Sequence, residues 1–142
     1  MLSGEYKHSC DEKFRLRLPS KFKKELGEGY AVTRGNDGCL FVFSAAELKT
    51  LLEKTEKIPM FDSALQKPLR MLYSSAYEAE EDNQGRFLLP QSLREFAGIK
   101  KDVYFIGVGS RAEIWSSERW ESYKATNQNF DSVLSELGKF GI

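Results

Sequence analysis

Two stretches of the chain share one pattern of residues that can shape a turn and bind an anion. In residues 11–19 and again in residues 82–90, an aspartate precedes an arginine by four positions, and an apolar-rich segment ending in proline follows. An aspartate closes a turn by accepting hydrogen bonds from backbone N–H groups just ahead of it. We therefore predict that Asp11 and Asp82 are the structural turn residues of the pattern.

The two arginines of the pattern, Arg15 and Arg86, indicate a nucleic-acid interface. Arg17 alternates with Arg15 on one side of a predicted strand, and Lys13 lies in the adjacent turn. A two-stranded ribbon fits the major groove of DNA, where guanidinium groups bind phosphates and the edge of guanine. The predicted DNA-binding residues are Lys13, Arg15, Arg17 and Arg86. In the alternative interpretation, each arginine only balances the charge of its turn aspartate.

The distribution of charge supports a polyanionic partner although the formal net charge is zero. The 21 lysines and arginines equal the 21 aspartates and glutamates in number. Six of the cations fall between Lys13 and Lys24, whereas four acidic residues fall between Glu78 and Asp82. Positive charge is therefore concentrated around the first copy of the pattern, which indicates an electrostatic binding surface. An ordinary solvated surface is the alternative for such a run.

The sequence offers few residues for catalysis or metal binding. His8 is the single histidine, and Cys10 and Cys39 are the only cysteines, so neither a nucleophilic relay nor a zinc site has its residues. The segment from Gly107 to Ala112 fits a dinucleotide-binding pattern, but a strand rather than a helix follows it, which predicts a hairpin turn. We predict that the protein is not an enzyme and uses no cofactor, metal or small-molecule substrate.

The expected location is the cytoplasm. No run of about eighteen apolar residues is present that could span a bilayer, so no membrane association is predicted. Two isolated cysteines cannot form a disulfide framework. We expect Cys10 and Cys39 to be small buried thiols.

The sequence contains an internal repeat with a period of about seventy residues. The aspartate, arginine and proline of the two patterns align, and Gly27 aligns with Gly98. One copy predicts a strand, a turn, a second strand, a two-turn helix that ends at Gly27, a hairpin and a helix capped by Ser44. The ranges of the predicted strands are Glu5 to Ser9, Phe14 to Leu18, Tyr30 to Arg34 and Cys39 to Phe43. Phe14, Leu16 and Leu18 are predicted to face the core.

Two further helices complete the predicted organisation. Residues 62–76 have helical spacing, and Pro68 predicts that this helix starts or kinks there; a short C-terminal helix covers Phe130 to Phe140. We divide the chain into residues 1–62, the first copy with its trailing helix, and residues 63–142, the linking helix, second copy and C-terminal helix. Neither copy can bury a good core alone. The predicted fold is α+β, one pseudo-symmetric barrel built by both copies.

These residues resemble the MraZ family of bacterial regulators, whose members have the Asp-x-x-x-Arg signature once in each of two tandem AbrB-like copies. The resemblance spans essentially the whole chain, from Gly4-Glu5-Tyr6 through both signatures to Gly141-Ile142. It implies tandem β-α-β-β copies in a swapped-hairpin barrel with flanking helices. Phe14 departs from the family, which often has glycine there, so the first turn is expected to differ from the second.

The resemblance also implies a function. It implies a sequence-specific transcription factor that binds short direct repeats upstream of the operon for cell division and cell-wall synthesis, including its own gene. It further implies a ring-shaped homo-oligomer associated with the nucleoid, with Arg15 and Arg86 nearest the double-stranded DNA. The alternative is a protein-interaction scaffold of the AbrB superfamily without direct DNA readout, which uses its apolar helices and the C-terminal Phe140-Gly141-Ile142.

The two copies are not equal in charge. Arg15 and Arg17 of the first copy correspond to Arg86 and Leu88 of the second. The first copy also has Lys21, Lys23 and Lys24. We therefore expect the first copy to contribute more of the electrostatic binding energy.

Overall fold

The computed structural model describes residues 1–142 and contains strands and helices in the same order in both halves of the chain. The first half consists of β1 (Glu5–Ser9), β2 (Arg15–Arg17), α1 (Ser20–Leu26), β3 (Ala31–Arg34), β4 (Leu40–Phe43) and α2 (Ala45–Thr55). After α3 (Ser63–Ser75), the second half consists of β5 (Tyr77–Glu78), β6 (Arg86–Leu88), α4 (Gln91–Ala97), β7 (Asp102–Gly107), β8 (Ala112–Ser116), α5 (Ser117–Thr126) and α6 (Phe130–Gly138).

The strand order is symmetric with respect to the two halves. Six strands form one antiparallel sheet in the order β1-β7-β8-β4-β3-β5, and β2 pairs with β6 in a separate two-stranded ribbon. If each strand is exchanged with its counterpart in the other half, β1 with β5, β2 with β6, β3 with β7 and β4 with β8, the same order is obtained in reverse. The predicted α+β fold is confirmed, and the duplication in the sequence is also present in the topology.

The predicted closed barrel is not formed by hydrogen-bonded strands. The six-stranded sheet is open, with β1 at one edge and β5 at the other, and the ribbon pairs with neither edge. One reason is the length of β5, in which only Tyr77 and Glu78 pair with β3. The ribbon is attached to the sheet by side chains instead, because Leu16 and Phe87 are buried in the same apolar cluster as Val32 and Val42 of the sheet.

Both halves contribute to one hydrophobic core. Tyr30 of the first half packs edge-to-face on Phe87 of the second, with ring centres 5.7 Å apart, and both side chains are fully buried. The Tyr30 hydroxyl donates a hydrogen bond of 2.6 Å to Glu81. This shared core agrees with the expectation that a single copy is too small to bury enough apolar surface by itself.

Helices α2, α3 and α5 each begin after a residue whose side chain caps the first turn. Ser44 caps α2 by accepting a hydrogen bond from Glu47 N at 3.1 Å, and Ser116 caps α5 in the same way through Arg119 N. Helix α3 does not begin at Pro68, one of the two outcomes expected for that residue. Asp62 caps it earlier by accepting from Leu65 N, and Pro68 lies within the helix.

The turns before β2 and β6 have the same backbone hydrogen bonds. In the first, Asp11 N donates to Arg15 O at 3.0 Å and Phe14 N to Asp11 O at 3.0 Å; in the second, the equivalent bonds measure 2.8 and 3.0 Å. Gly85 has φ 75°, and Phe14 at the same position has φ 59°. The expected difference between the turns is therefore absent, and Phe14 adopts a conformation that normally favours glycine.

The Phe14 side chain is held in place by contacts outside the turn. The guanidinium carbon of Arg94 lies 3.6 Å from the centre of its ring. This cation–π contact offsets part of the cost of the left-handed backbone. The strand starts after the turn, at Arg15 rather than at Phe14 as predicted, and Phe14 is only half-buried.

Replacing Phe14 by glycine and by alanine separates the backbone cost from the side-chain contact. Both variants lose the ring of Phe14, but only glycine adopts a positive φ without steric cost. We expect Phe14→Gly to have a free energy of unfolding about 1 kcal/mol higher than that of Phe14→Ala. Chemical denaturation measures the difference, with Gly85→Ala in the second turn as the control that should lose stability. Equal stability of the two Phe14 variants would contradict the positive φ.

Candidate nucleic-acid interface

The ribbon formed by β2 and β6 presents one face to the core and the other to solvent. Its register places Arg15 opposite Leu88, Leu16 opposite Phe87, and Arg17 opposite Arg86. The central pair is buried, whereas Arg17 and Leu88 are exposed and the two signature arginines are half-buried. The alternation predicted for β2 is confirmed for Leu16 and Leu18, which are both buried. The outward face thus contains three arginines and one leucine.

Asp11 and Asp82 occupy the turn position predicted for them. One carboxylate oxygen of Asp11 accepts from Lys13 N and Arg15 N, each at 2.9 Å. The corresponding oxygen of Asp82 accepts from the backbone N–H groups two and four residues ahead, at 2.9 and 3.0 Å. The pKa of each carboxyl is lowered, first because the N–H of the arginine four residues ahead donates to it. Both groups are therefore ionised at neutral pH.

The second oxygen of each aspartate joins the two halves through ion pairs. Arg15 Nε donates to Asp11 Oδ2 at 2.7 Å, and Arg86 Nε donates to Asp82 Oδ2 at 2.9 Å. Across the ribbon, Arg15 Nη1 lies 3.8 Å from Asp82 Oδ2, and Arg86 Nη1 lies 3.7 Å from Asp11 Oδ2. We call these four side chains the reciprocal ion-pair cluster. Each carboxylate lies near both guanidinium groups and fixes their positions.

The reciprocal ion-pair cluster leaves part of each signature arginine available. Only Nε of Arg15 and of Arg86 donates a hydrogen bond within the protein, and their side chains remain 29% and 27% exposed. The terminal amino groups can therefore donate to an external acceptor, such as a phosphate or a base edge. The aspartates orient these arginines but also cancel much of their charge.

Arg17 and Lys13 differ from the signature arginines in having no ion pair. Both side chains are exposed, and neither takes part in a salt bridge. Arg17 lies directly opposite Arg86, whose guanidinium group is paired with Asp82 and lies near Asp11. Across residues 11–17 and 82–88, Lys13 and the three arginines are four cations against three anions, Asp11, Glu12 and Asp82. The ribbon and its turns therefore have an excess of one positive charge.

One of the six cations between Lys13 and Lys24 forms ion pairs within the chain. Lys23 Nζ lies 3.0 Å from Glu28 and 2.9 Å from Glu81, which also accepts the hydrogen bond of Tyr30. Lys23 thus belongs to a contact between the halves and not to the outward face of the ribbon. Lys21 and Lys24 are exposed on α1 and have no salt bridge.

The histidine and the two cysteines, which were considered for catalysis and metal binding, pack against other residues of the protein. His8 packs edge-to-face on Phe105 with ring centres 5.2 Å apart. Cys10 and Cys39 are free and buried as predicted, and burial raises the pKa of Cys10 to about 11 and that of Cys39 to about 12. Their thiols are protonated at neutral pH and are poor nucleophiles. The glycine-containing segment after Gly107 joins two paired antiparallel strands, which confirms the predicted hairpin turn.

No group of three or more His, Cys, Asp or Glu side chains is placed to hold a metal ion. None of the helices is both long and apolar enough to cross a membrane.

The ion pairs across the ribbon were not predicted from the sequence. Each Asp-x-x-x-Arg pattern predicts its own pair, but the contacts between Arg15 and Asp82 and between Arg86 and Asp11 depend on β2 pairing with β6. The signal that points to this pairing is the duplication itself. Equivalent strands that meet at a pseudo-twofold axis bring equivalent turns together.

Comparison with known proteins also detects two copies in the chain. The family model described as "MraZ protein, putative antitoxin-like" matches residues 1–70 and again residues 72–137. Proteins named transcriptional regulator MraZ are 46% identical in Caldanaerobacter subterraneus and Caldicellulosiruptor bescii and 43% identical in Acetivibrio thermocellus, over the full length of both chains in each case. On this evidence, the chain belongs to the MraZ family.

Proposed function

We propose that the protein is a sequence-specific DNA-binding transcriptional regulator that inserts the β2–β6 ribbon into the major groove. The observation that supports this most directly is the outward face of the ribbon, where both Asp-x-x-x-Arg patterns meet and three guanidinium groups face solvent. A two-stranded ribbon has the width of the major groove, and arginine binds phosphates and the O6 and N7 atoms of guanine. The relatives named as transcriptional regulators support the same function.

The residues of the ribbon have different roles in this proposal. Arg17 and Lys13 are exposed and unpaired, so they supply charge to the DNA backbone or to a base edge. Arg15 and Arg86 are oriented by Asp11 and Asp82 and donate through their terminal amino groups. A phosphate or a guanine between Arg17 and Arg86 would accept hydrogen bonds from both guanidinium groups.

The finer features of the proposal follow the family. The two AbrB-like copies, in residues 1–62 and 63–142, form a pseudo-twofold unit of the swapped-hairpin type, and several chains form a ring-shaped homo-oligomer. The ring binds short direct repeats of double-stranded DNA upstream of its own operon for division and cell-wall synthesis, in the cytoplasm at the nucleoid. The exposed apolar side chains of α6 support self-association, because a stripe without a partner favours burial against another subunit. They are Phe130, Leu134 and Leu137.

The second candidate is a protein-interaction scaffold of the AbrB superfamily. It is favoured by the exposed apolar side chains of α3, including Leu65, Met71 and Tyr73, and by the C-terminal Phe140 and Ile142. A scaffold and a DNA-binding protein differ in their response to salt.

A salt titration of binding to the upstream DNA separates the two candidates. If about six phosphates are contacted, affinity should fall by about 10³-fold between 50 and 200 mM salt, because released counterions drive binding. Fluorescence anisotropy of labelled DNA measures this loss. A scaffold without DNA readout gives no anisotropy change at any salt concentration, and that result would contradict the proposal.

Removing Arg17 tests the role of the unpaired guanidinium group. Arg17→Ala should weaken DNA binding by about 1–3 kcal/mol with little change in stability, since Arg17 makes no ion pair within the protein. Arg70→Ala, which removes an exposed arginine from α3, is the matched control and should bind DNA as the unmodified protein does. Unchanged affinity of a folded Arg17→Ala protein would remove Arg17 from the interface.

The number of repeats in the DNA tests the assembly. Because linked sites act at a high effective concentration, an operator reduced to one repeat should bind at least about 10²-fold more weakly than the complete operator. Light scattering on the same sample measures the mass of the oligomer. Similar affinities for both DNAs would contradict multivalent binding by a ring.

A further inference from the structure

Leu88 is an apolar residue in the middle of a charged face. Its side chain is 49% exposed, it lies directly opposite Arg15, and it is two positions from Arg86 on the same strand. Single exposed leucines are common on protein surfaces. This one differs because the other outward positions of the ribbon are all arginines.

The register shows that Leu88 occupies a special position with respect to the internal symmetry. Exchanging β2 with β6 places Arg15 on Arg86 and Arg17 on Leu88, with the buried pair of Leu16 and Phe87 at the centre. The signature arginines therefore present the same group at both ends of the ribbon. Arg17 and Leu88 present different groups at equivalent positions, so that only one end has an apolar side chain.

The surroundings of Leu88 favour DNA over a protein as its partner. An apolar protein interface needs a contiguous apolar patch, whereas Leu88 is flanked by guanidinium groups. In the major groove, the C5-methyl group of thymine is the distinct apolar group among the donors and acceptors of the base edges. A single leucine among arginines matches a groove in which a thymine methyl lies among polar edges and phosphates.

We infer that Leu88 is a specificity-determining residue, which contacts the C5-methyl group of a thymine and gives the ribbon a direction on its site. The inference rests on the proposed DNA-binding function and deepens it. Arg17 reads the polar end of the site and Leu88 the thymine end. A ribbon with arginine at both positions would present the same groups in both orientations, whereas this ribbon binds one orientation preferentially, as each unit of a direct repeat requires.

Deoxyuridine tests this contact because it lacks only the C5-methyl group of thymidine. Each thymine of one repeat in the full operator is replaced in turn, and the affinity of the full-length protein is measured by anisotropy. At one position the affinity should fall about fourfold, the change that corresponds to burial of about one methylene-sized group. Leu88→Ala should bind the thymine and uracil DNAs equally at that position.

Val108→Ala is the matched control, since Val108 is a 40% exposed apolar residue in the turn between β7 and β8. It should discriminate between thymine and uracil as the unmodified protein does.

If the unmodified protein binds the operator but no deoxyuridine weakens binding, or if Leu88→Ala still discriminates between thymine and uracil, the inference fails while the proposed function stands. If Leu88→Ala instead changes the mass of the oligomer, Leu88 is a subunit contact and the inference is wrong. If the unmodified protein binds no DNA, the proposed function itself fails.

Discussion

The reciprocal ion-pair cluster determines both the shape of the ribbon and the relation between the two halves. Each aspartate uses one oxygen to close its own turn and the other to contact the arginines of both copies. The same four side chains therefore contribute to both the local backbone geometry and the pairing of the two halves. Leu16 and Phe87 attach the ribbon to the shared core, so the cluster lies on a strand pair whose inner face is buried.

The balance of charge in the ribbon matters for selectivity. Phosphate contacts provide affinity without reading sequence, so a strongly basic surface binds any DNA. Here Asp11 and Asp82 cancel much of the charge of the arginines that they orient. The remaining positive charge is modest, and in the proposed complex with DNA discrimination depends on where the donors and the Leu88 side chain meet the base edges. A chain with zero formal net charge is compatible with such a partner because the charge is local.

Local features of the fold and the sharing of one core by the two copies could be predicted from the sequence, whereas the pairing of the strands could not. The Asp11 and Asp82 turns, the burial of Leu16 and Leu18 and the cap at Ser44 each depend on residues a few positions apart. The open sheet depends on β1 pairing with β7 and β5 with β3, and residue patterns along a strand do not specify its partner. The positive φ of Phe14, which accompanies a contact between its ring and Arg94, also lies outside what the residue types along the turn predict. The structure gives the exposure and the partners of the candidate site residues. Their roles in binding DNA stay predictions; these residues are Lys13, Arg15, Arg17 and Arg86.

The symmetric strand order has a consequence for how the two copies can change. The same order would arise if two identical short chains exchanged their first strands, but each substitution would then occur at both ends of the ribbon. In a single chain that contains both copies, one end can change while the other is kept. Two identical single-copy subunits would have the same residue at both equivalent positions, and their ribbon would be twofold symmetric. The difference between Arg17 and Leu88 therefore requires two copies that differ in sequence, as they do in this fused chain.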